Sequence, residues 1–440
     1  MIRSVNRRQF IGQSLAAGAL ASTWHLGGSP TQAADSPNEK LNLAAVGVAH
    51  KAAHNIAQLK SQNFVALCDV DENFLNKAAV EFPKARLFRD YRKMLDAVAD
   101  QIDGVVVSTA DHMHAPATSA ALALKKHVYC EKPLTHTVAE ARAIAKLAKE
   151  SGVATQMGTQ IHAGNNYRRV VELIQSGAIG PVRKVYNWCN KGWSNGRYNQ
   201  CSQPAPSHLD WDLWLGPAPE HAYCTGIHPS NWRRFWEYGS GTFGDMACHV
   251  MDLPFWALGL RHPTSVHAEG PEVHPVGAPA WCKATYEFPT DHGPLTYYWS
   301  DGGAHFDKVK TTMDHSGKPL SKWGLGVLFI GDNGMLAADY GRRQLLPQKQ
   351  FEGFEPPAES IPNSIGHWNE WVQACKTGSP TTCNFDYSGA LTETVLLGPA
   401  AYRSGGAIEW DAENLKATNN PDAEQYITKE YRKGFEVIGV

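Results

Sequence analysis

The chain has 440 residues, 43% hydrophobic and 19% charged, and a net charge of -2. One hydrophobic core stops growing at roughly 250 to 300 residues, so two domains are expected, and this apolar content excludes a disordered chain. No run of like charges follows the first eight residues, which excludes the basic footprint of a nucleic-acid binder and favours a small-molecule partner.

In chain order, residues 1–34 read as a targeting segment. Arg7-Arg8-Gln9-Phe10 precede an apolar stretch from Ile11 to Ala21 and the small-residue run Thr31-Gln32-Ala33-Ala34. The paired arginines resemble a bacterial twin-arginine signal, a route that exports folded proteins to the periplasm, often with a cofactor inside. The apolar stretch is shorter than the roughly 20 residues of a span, and no later segment reaches that length, so no membrane span is expected. Two domains are expected beyond it, at residues 38–160 and 161–440.

Leu41 to Gly47 reads as a buried strand entering a turn. Strand and helix then alternate: a strand at Phe64–Val70, a helix at Asn73–Glu81, a strand at Asp103–Ser108, a helix at Pro116–Lys125 and a strand at His127–Cys130. A helix at Val138–Lys149, stopped by Gly152, and a strand at Val153–Met157 complete the series. This alternation predicts an α/β fold that begins with a doubly wound, Rossmann-type parallel sheet. After Gly158 the texture changes. A helix at Asn166–Gln175 and a strand at Val182–Asn190 lead into a Gly-, Trp-, Asn- and Pro-rich stretch to about Gly244. Strands at Ala284–Phe288, Leu295–Trp299 and Val327–Ile330 predict a largely antiparallel sheet in a second, α+β domain, with helices at Ser364–Cys375 and Gly389–Tyr402.

The nine cysteines are scattered, without the paired spacing of a zinc site or disulfide framework, and most are expected as buried thiols; a Cys375–Cys383 bridge stays open. His112 and His114 are one residue apart with no H-E-x-x-H motif, so no catalytic metal is expected.

Gly47-Val48-Ala49-His50-Lys51-Ala52 occupies the place of a dinucleotide fingerprint and keeps its first glycine alone, so it also suits an ordinary strand-to-helix turn. Asp69 ends the second strand, where a carboxylate accepts hydrogen bonds from ribose hydroxyls and repels a 2′-phosphate, favouring NAD over NADP; it also suits a plain turn. Lys132, in Glu131-Lys132-Pro133, follows a strand at the carboxyl edge of the sheet, where its ammonium would stabilise an alkoxide; a surface ion pair with Glu131 is the bland alternative. In Gly244-Asp245-Met246-Ala247-Cys248-His249, helical spacing puts Asp245 and His249 on one face. There His249 suits a general base and Asp245 would orient substrate or imidazole; a capping Asp with a structural His fits the same spacing. Tryptophans concentrate in the loop-rich stretch, where they suit either sugar stacking or core filling.

Together these features resemble the glucose-fructose oxidoreductase / inositol dehydrogenase / MocA family. The stretch Val105 to His114, the run Val128 to Leu134 and Asp245-x-x-x-His249 carry the likeness. The resemblance implies a catalytic trio of Lys132, Asp245 and His249. It implies Gly47, Val48, Ala49 and Asp69 at the cofactor, NAD, with Ser108, His114, Glu131, Lys132 and Gln160 around it; whether the NAD is retained between turnovers stays open. Trp193, Trp232 and Arg233 are expected on the substrate wall, and a homo-oligomer is implied. The chain departs from the family at the phosphate loop, where Ala49 and Ala52 replace glycines. The expected activity is hydride exchange between NAD and a sugar or polyol hydroxyl or ketone. A redox-neutral, NAD-dependent glycoside hydrolase and a non-catalytic sugar- or nucleotide-binding protein are the alternatives.

Overall fold

The computed structural model describes residues 40–202 and 204–440; the targeting segment read at 1–34 lies outside the described residues. Six short runs, most of them apolar, form strands: β1 (Asn42–Val46), β2 (Asn63–Cys68), β3 (Arg86–Phe88), β4 (Gly104–Val107), β5 (His127–Cys130) and β6 (Thr155–Met157). They pair in parallel in the order β3-β2-β1-β4-β5-β6. Leu43, Ala44, Ala45, Val105 and Val107 are fully buried, because helices cover both faces. The helices are α1 (Lys51–Gln58), α2 (Glu72–Glu81), α3 (Tyr91–Val98), α4 (His114–Ala123) and α5 (Val138–Ser151). Asp71, Asp90 and Thr137 cap α2, α3 and α5 through their side chains, and Gly152 ends α5 in the left-handed conformation. Strand order reverses between β1 and β4, which opens a crevice at their carboxyl ends.

Helix α6 (Asn165–Gln175) leads to β7 (Val182–Cys189), a central strand of the second sheet. With it run β8 (Ser265–Glu269), β9 (Lys283–Phe288), β10 (Leu295–Ser300), β11 (Leu325–Gly331), β12 (Gly334–Ala338), β13 (Arg343–Leu346), β14 (Ile408–Asp411) and β15 (Lys416–Ala417). The nine pair in the order β13-β12-β11-β7-β10-β9-β8-β14-β15, antiparallel throughout except for the β7–β10 pair. The α/β class, the parallel Rossmann sheet and the mostly antiparallel second sheet are as expected. Helices α7 (Trp211–Leu215), α8 (Gly241–Val250), α9 (Asp252–Leu258), α10 (Asp307–Thr311), α11 (His367–Thr377) and α12 (Phe385–Arg403) follow in chain order. Phe243 and Met246 on α8 and Leu391 and Val395 on α12 share a core with Tyr286 and Phe288 of β9. Tyr186, Trp188 and Leu328 on the opposite face pack with Val309, Leu320 and Trp323.

Among the described cysteines, Cys375 and Cys383 are both free, and the disulfide joins Cys201 to Cys224 instead. Cys383 is buried at the edge of β6, its thiol donating to the carbonyl of Met157, whereas Cys375 packs on the core around Trp371. Sequence proximity put them together; different cores keep them apart.

Candidate active site and cofactor groove

The turn after β1 begins at Gly47, whose φ is +88° and whose missing Cβ would lie 2.5 Å from the carbonyl oxygen of Ser108. No other residue permits β1 and β4 to approach so closely there. Val48 donates its N–H to Asp69 at 3.0 Å, and Asp71 donates to the other oxygen of that carboxylate at 3.0 Å. Burial nevertheless pushes Asp69 up to about 6, with the two N–H groups pulling the other way. Ala52 sits at the third glycine position with only 1% exposure, so its methyl fills the helix–strand contact that glycine would leave open.

Gly47, Ala49, Lys51, Asp69, Ser108 and Thr109 line an open groove. A left-handed glycine, the exposed start of α1 and a carboxylate at the end of β2 fit a dinucleotide. The groove has a further wall. It is a strap from the loop-rich stretch: Glu72 donates to the carbonyl of His208 at 2.9 Å, Asp210 donates to that of Val70 at 3.0 Å, and His228 meets Asp71 at 2.9 Å. Trp214, His228, Pro229 and Trp232 thus face the groove from its open side, and the Cys201–Cys224 disulfide closes a loop within this stretch.

Next to the groove lies a second cavity, lined among others by Ser108, His114, Glu131, Lys132, Gln160, Asp245 and His249, with Trp232 and Arg233 on its wall. Lys132 donates through Nζ to Asp245 Oδ1 at 2.5 Å and to the Asp245 carbonyl at 2.7 Å. Burial draws this ammonium down, but the carboxylates of Asp245 and Glu131 outweigh it and hold its pKa above the ordinary lysine value. Asp245 also accepts from Arg233 Nε at 3.2 Å and from the Trp193 indole at 2.7 Å. Although burial opposes it, Lys132 and Arg233 hold Asp245 well below the usual carboxylate range. Trp193 therefore holds the carboxylate, whereas Trp232 faces the cavity with Arg233 stacked 4.1 Å over its ring.

His249 lies one helical turn beyond Asp245 on α8, and its ring makes no hydrogen bond to a described residue. Burial, with the nearby Lys132 charge, drops its pKa to about 3, so the imidazole is neutral. Asp245 thus serves the lysine and not the imidazole, because Lys132 reaches across from the cis Lys132–Pro133 turn after β5 and occupies its oxygen first.

Glu131 accepts from Asn55 at 2.9 Å and from Gln160 at 3.0 Å, and it faces Lys51 at 3.7 Å, so it is no surface ion pair. His114 lies between the carbonyls of Pro133 and Thr109, at 2.7 and 3.2 Å. Sequence reasoning missed Asn55, which also donates to Ser108 at 3.0 Å; its place one turn after Lys51 on α1 was the available signal. It also missed Asp111, Lys191 and Tyr340 on the cavity wall. Among the described residues no cluster of three or more His, Cys, Asp or Glu is placed to hold a metal ion.

Residues 41–159 match the oxidoreductase family with an NAD-binding Rossmann fold, and residues 164–294 match its C-terminal α/β domain. Inositol 2-dehydrogenase of Rhodococcus jostii is 32% identical over 153 residues, which are 33% of this chain and 41% of that protein. Myo-inositol 2-dehydrogenase of Thermotoga maritima is 24% identical over 140 residues, 32% of this chain and 41% of that one. The matches to these curated relatives span about two fifths of their length. The WlbA dehydrogenase of Bordetella pertussis, solved with NADH and UDP-GlcNAcA, shares the fold with a TM-score of 0.58 and 16% identity, over 84% of this chain and 99% of that one. With both parts of the family matched in order on one chain, the protein belongs to the glucose-fructose oxidoreductase / inositol dehydrogenase / MocA family of oxidoreductases, whose Rossmann fold binds NAD.

Proposed function

We propose that the protein oxidises a hydroxyl of a sugar or polyol, or reduces the corresponding ketone, with NAD as hydride partner. When bound, NAD accepts or returns the hydride. Gly47, Val48, Ala49 and Asp69 would hold its adenosine and phosphate end, and Ser108, His114, Glu131 and Gln160 its nicotinamide end. Lys132 places a fixed positive charge where an alkoxide develops, and Asp245 keeps that charge in place. His249, neutral and unpartnered by described residues, takes the hydroxyl proton. Trp232 and Arg233 would bound the substrate. The single observation that carries this reading is one cavity holding a charged lysine and a neutral histidine beside the cofactor groove. The test is to release the cofactor from purified protein, identify it by mass, and titrate sugars into the intact protein while following nicotinamide reduction. Bound or bindable NAD that a sugar reduces supports the reading; neither binding nor reduction overturns it in favour of a sugar- or nucleotide-binding protein.

The strap over the groove favours a second reading, in which NAD is retained and recycled within one turnover, as in redox-neutral glycoside cleavage. Cleavage of an aryl glycoside without added cofactor or lasting reduction would support it. We also propose export by the twin-arginine route. The disulfide Cys201–Cys224 fits an oxidising compartment, and replacing Arg7 and Arg8 by lysine should leave the protein in the cytoplasm on fractionation. Among the described residues no helix is long and apolar enough to cross a membrane. Self-assembly is a further proposal, read from the family resemblance and tested by light scattering.

A further inference from the structure

Asp111 opens the short turn between β4 and α4, at the carboxyl edge of the parallel sheet. It is 3% exposed and lines the cavity that holds Lys132, Asp245 and His249; its backbone carbonyl accepts from the His114 N–H, but its carboxyl makes no hydrogen bond to a described residue. Asp245, by contrast, is satisfied by Lys132, Arg233 and Trp193. The turn around Asp111 is pinned: His112 donates its N–H to Tyr238 O at 3.2 Å and its ring meets Trp214 O at 3.0 Å, while Met113 donates to Ala110 O at 3.0 Å. The carboxyl is therefore held at the cavity wall by its neighbours.

The carboxyl reaches the cavity with no protein partner, so its hydrogen-bonding capacity is available to a ligand there. Burial pushes Asp111 up to about 8 although Arg233 and Lys132 pull it down, so near neutrality it carries its proton. A protonated carboxyl donates once and accepts once, the pattern of an alcohol hydroxyl, and it does not repel Asp245 or Glu131.

We propose that Asp111 is a substrate-binding residue that takes a second hydroxyl of the substrate, next to the one served by Lys132 and His249. This rests on the oxidoreductase reading for the identity of the first hydroxyl, so the test reads binding separately from hydride transfer.

The NAD-loaded protein is titrated with trans-cyclohexane-1,2-diol and with cyclohexanol, and tryptophan fluorescence, with Trp232 on the wall, reports binding. The wild type is expected to bind the diol roughly tenfold or more tightly, the worth of one well-made hydrogen bond. Asp111→Ala should erase that preference, and Asp111→Asn, which still donates and accepts, should restore much of it, with NAD affinity within about twofold throughout. No diol preference in the wild type, no diol binding at all, an unchanged preference in Asp111→Ala, or a loss of NAD affinity matching the loss of diol would each overturn the proposal. Absorbance of reduced nicotinamide in the same cuvette reports on the oxidoreductase reading independently.

Discussion

Replacing Asp245 by asparagine removes the one negative charge that Lys132 and Arg233 share, at 2.5 and 3.2 Å. Side-chain exposures of 11% for Lys132 and 12% for Asp245 mean that little water replaces the lost charge. Breaking such a pair on one side costs about 3–5 kcal/mol. Asparagine keeps an oxygen for Lys132, so a loss near the lower end, ~3 kcal/mol, is expected at about pH 7, with the Lys132 pKa lowered.

The pH dependence fixes the sign. In the wild type the Lys132 pKa is raised, so its stabilisation is complete below the ordinary value of 10.5 and is lost only as pH climbs through the higher folded value. In Asp245→Asn burial is opposed chiefly by Glu131 and the Lys132 pKa falls, so the deficit is present near neutrality and fades as pH rises through the lowered value. The deficit measured by urea unfolding should therefore shrink between about pH 7 and about pH 10. A variant as stable as the wild type at neutral pH, or a deficit identical at both pH values, would refute the claim that Asp245 keeps Lys132 charged.

Lys132→Ala and His249→Ala should each keep the native circular dichroism and lose most turnover, on the order of 10²-fold or more for the base; near-normal turnover in either would remove that residue from the trio. Because His249 must be unprotonated to act and its pKa is held at about 3, kcat/KM should be flat where an ordinary histidine of 6.5 titrates. A limb of the pH–rate profile centred there would show that the base is another group or lies in another environment. Gly47→Ala should fold with a deficit of at least about 2 kcal/mol and bind NAD poorly by calorimetry, since its methyl would sit 2.5 Å from the Ser108 carbonyl in a left-handed backbone. Wild-type affinity in that variant would place the dinucleotide elsewhere.

The alternation of short apolar runs with helical stretches determined the parallel sheet, because β1, β4 and β5 are runs of four or five residues and a strand buried on both faces has no polar side to show. Strand β3 and helix α3 escaped it: β3 has three residues, two of them exposed, and so carries no burial period. Spacing likewise placed Asp245 and His249 on one helix, since residues four apart share a face whatever surrounds them. What no local pattern contains is the partner of each group. Lys132 and Asp245 are 113 residues apart, and only packing of α8 against the turn after β5 makes the carboxylate serve the lysine while the histidine stays free. The strap over the groove and the pairing of Cys201 with Cys224 are of the same kind. Hydrogen bonds and buried charges are set by distances through space, which the folded chain decides.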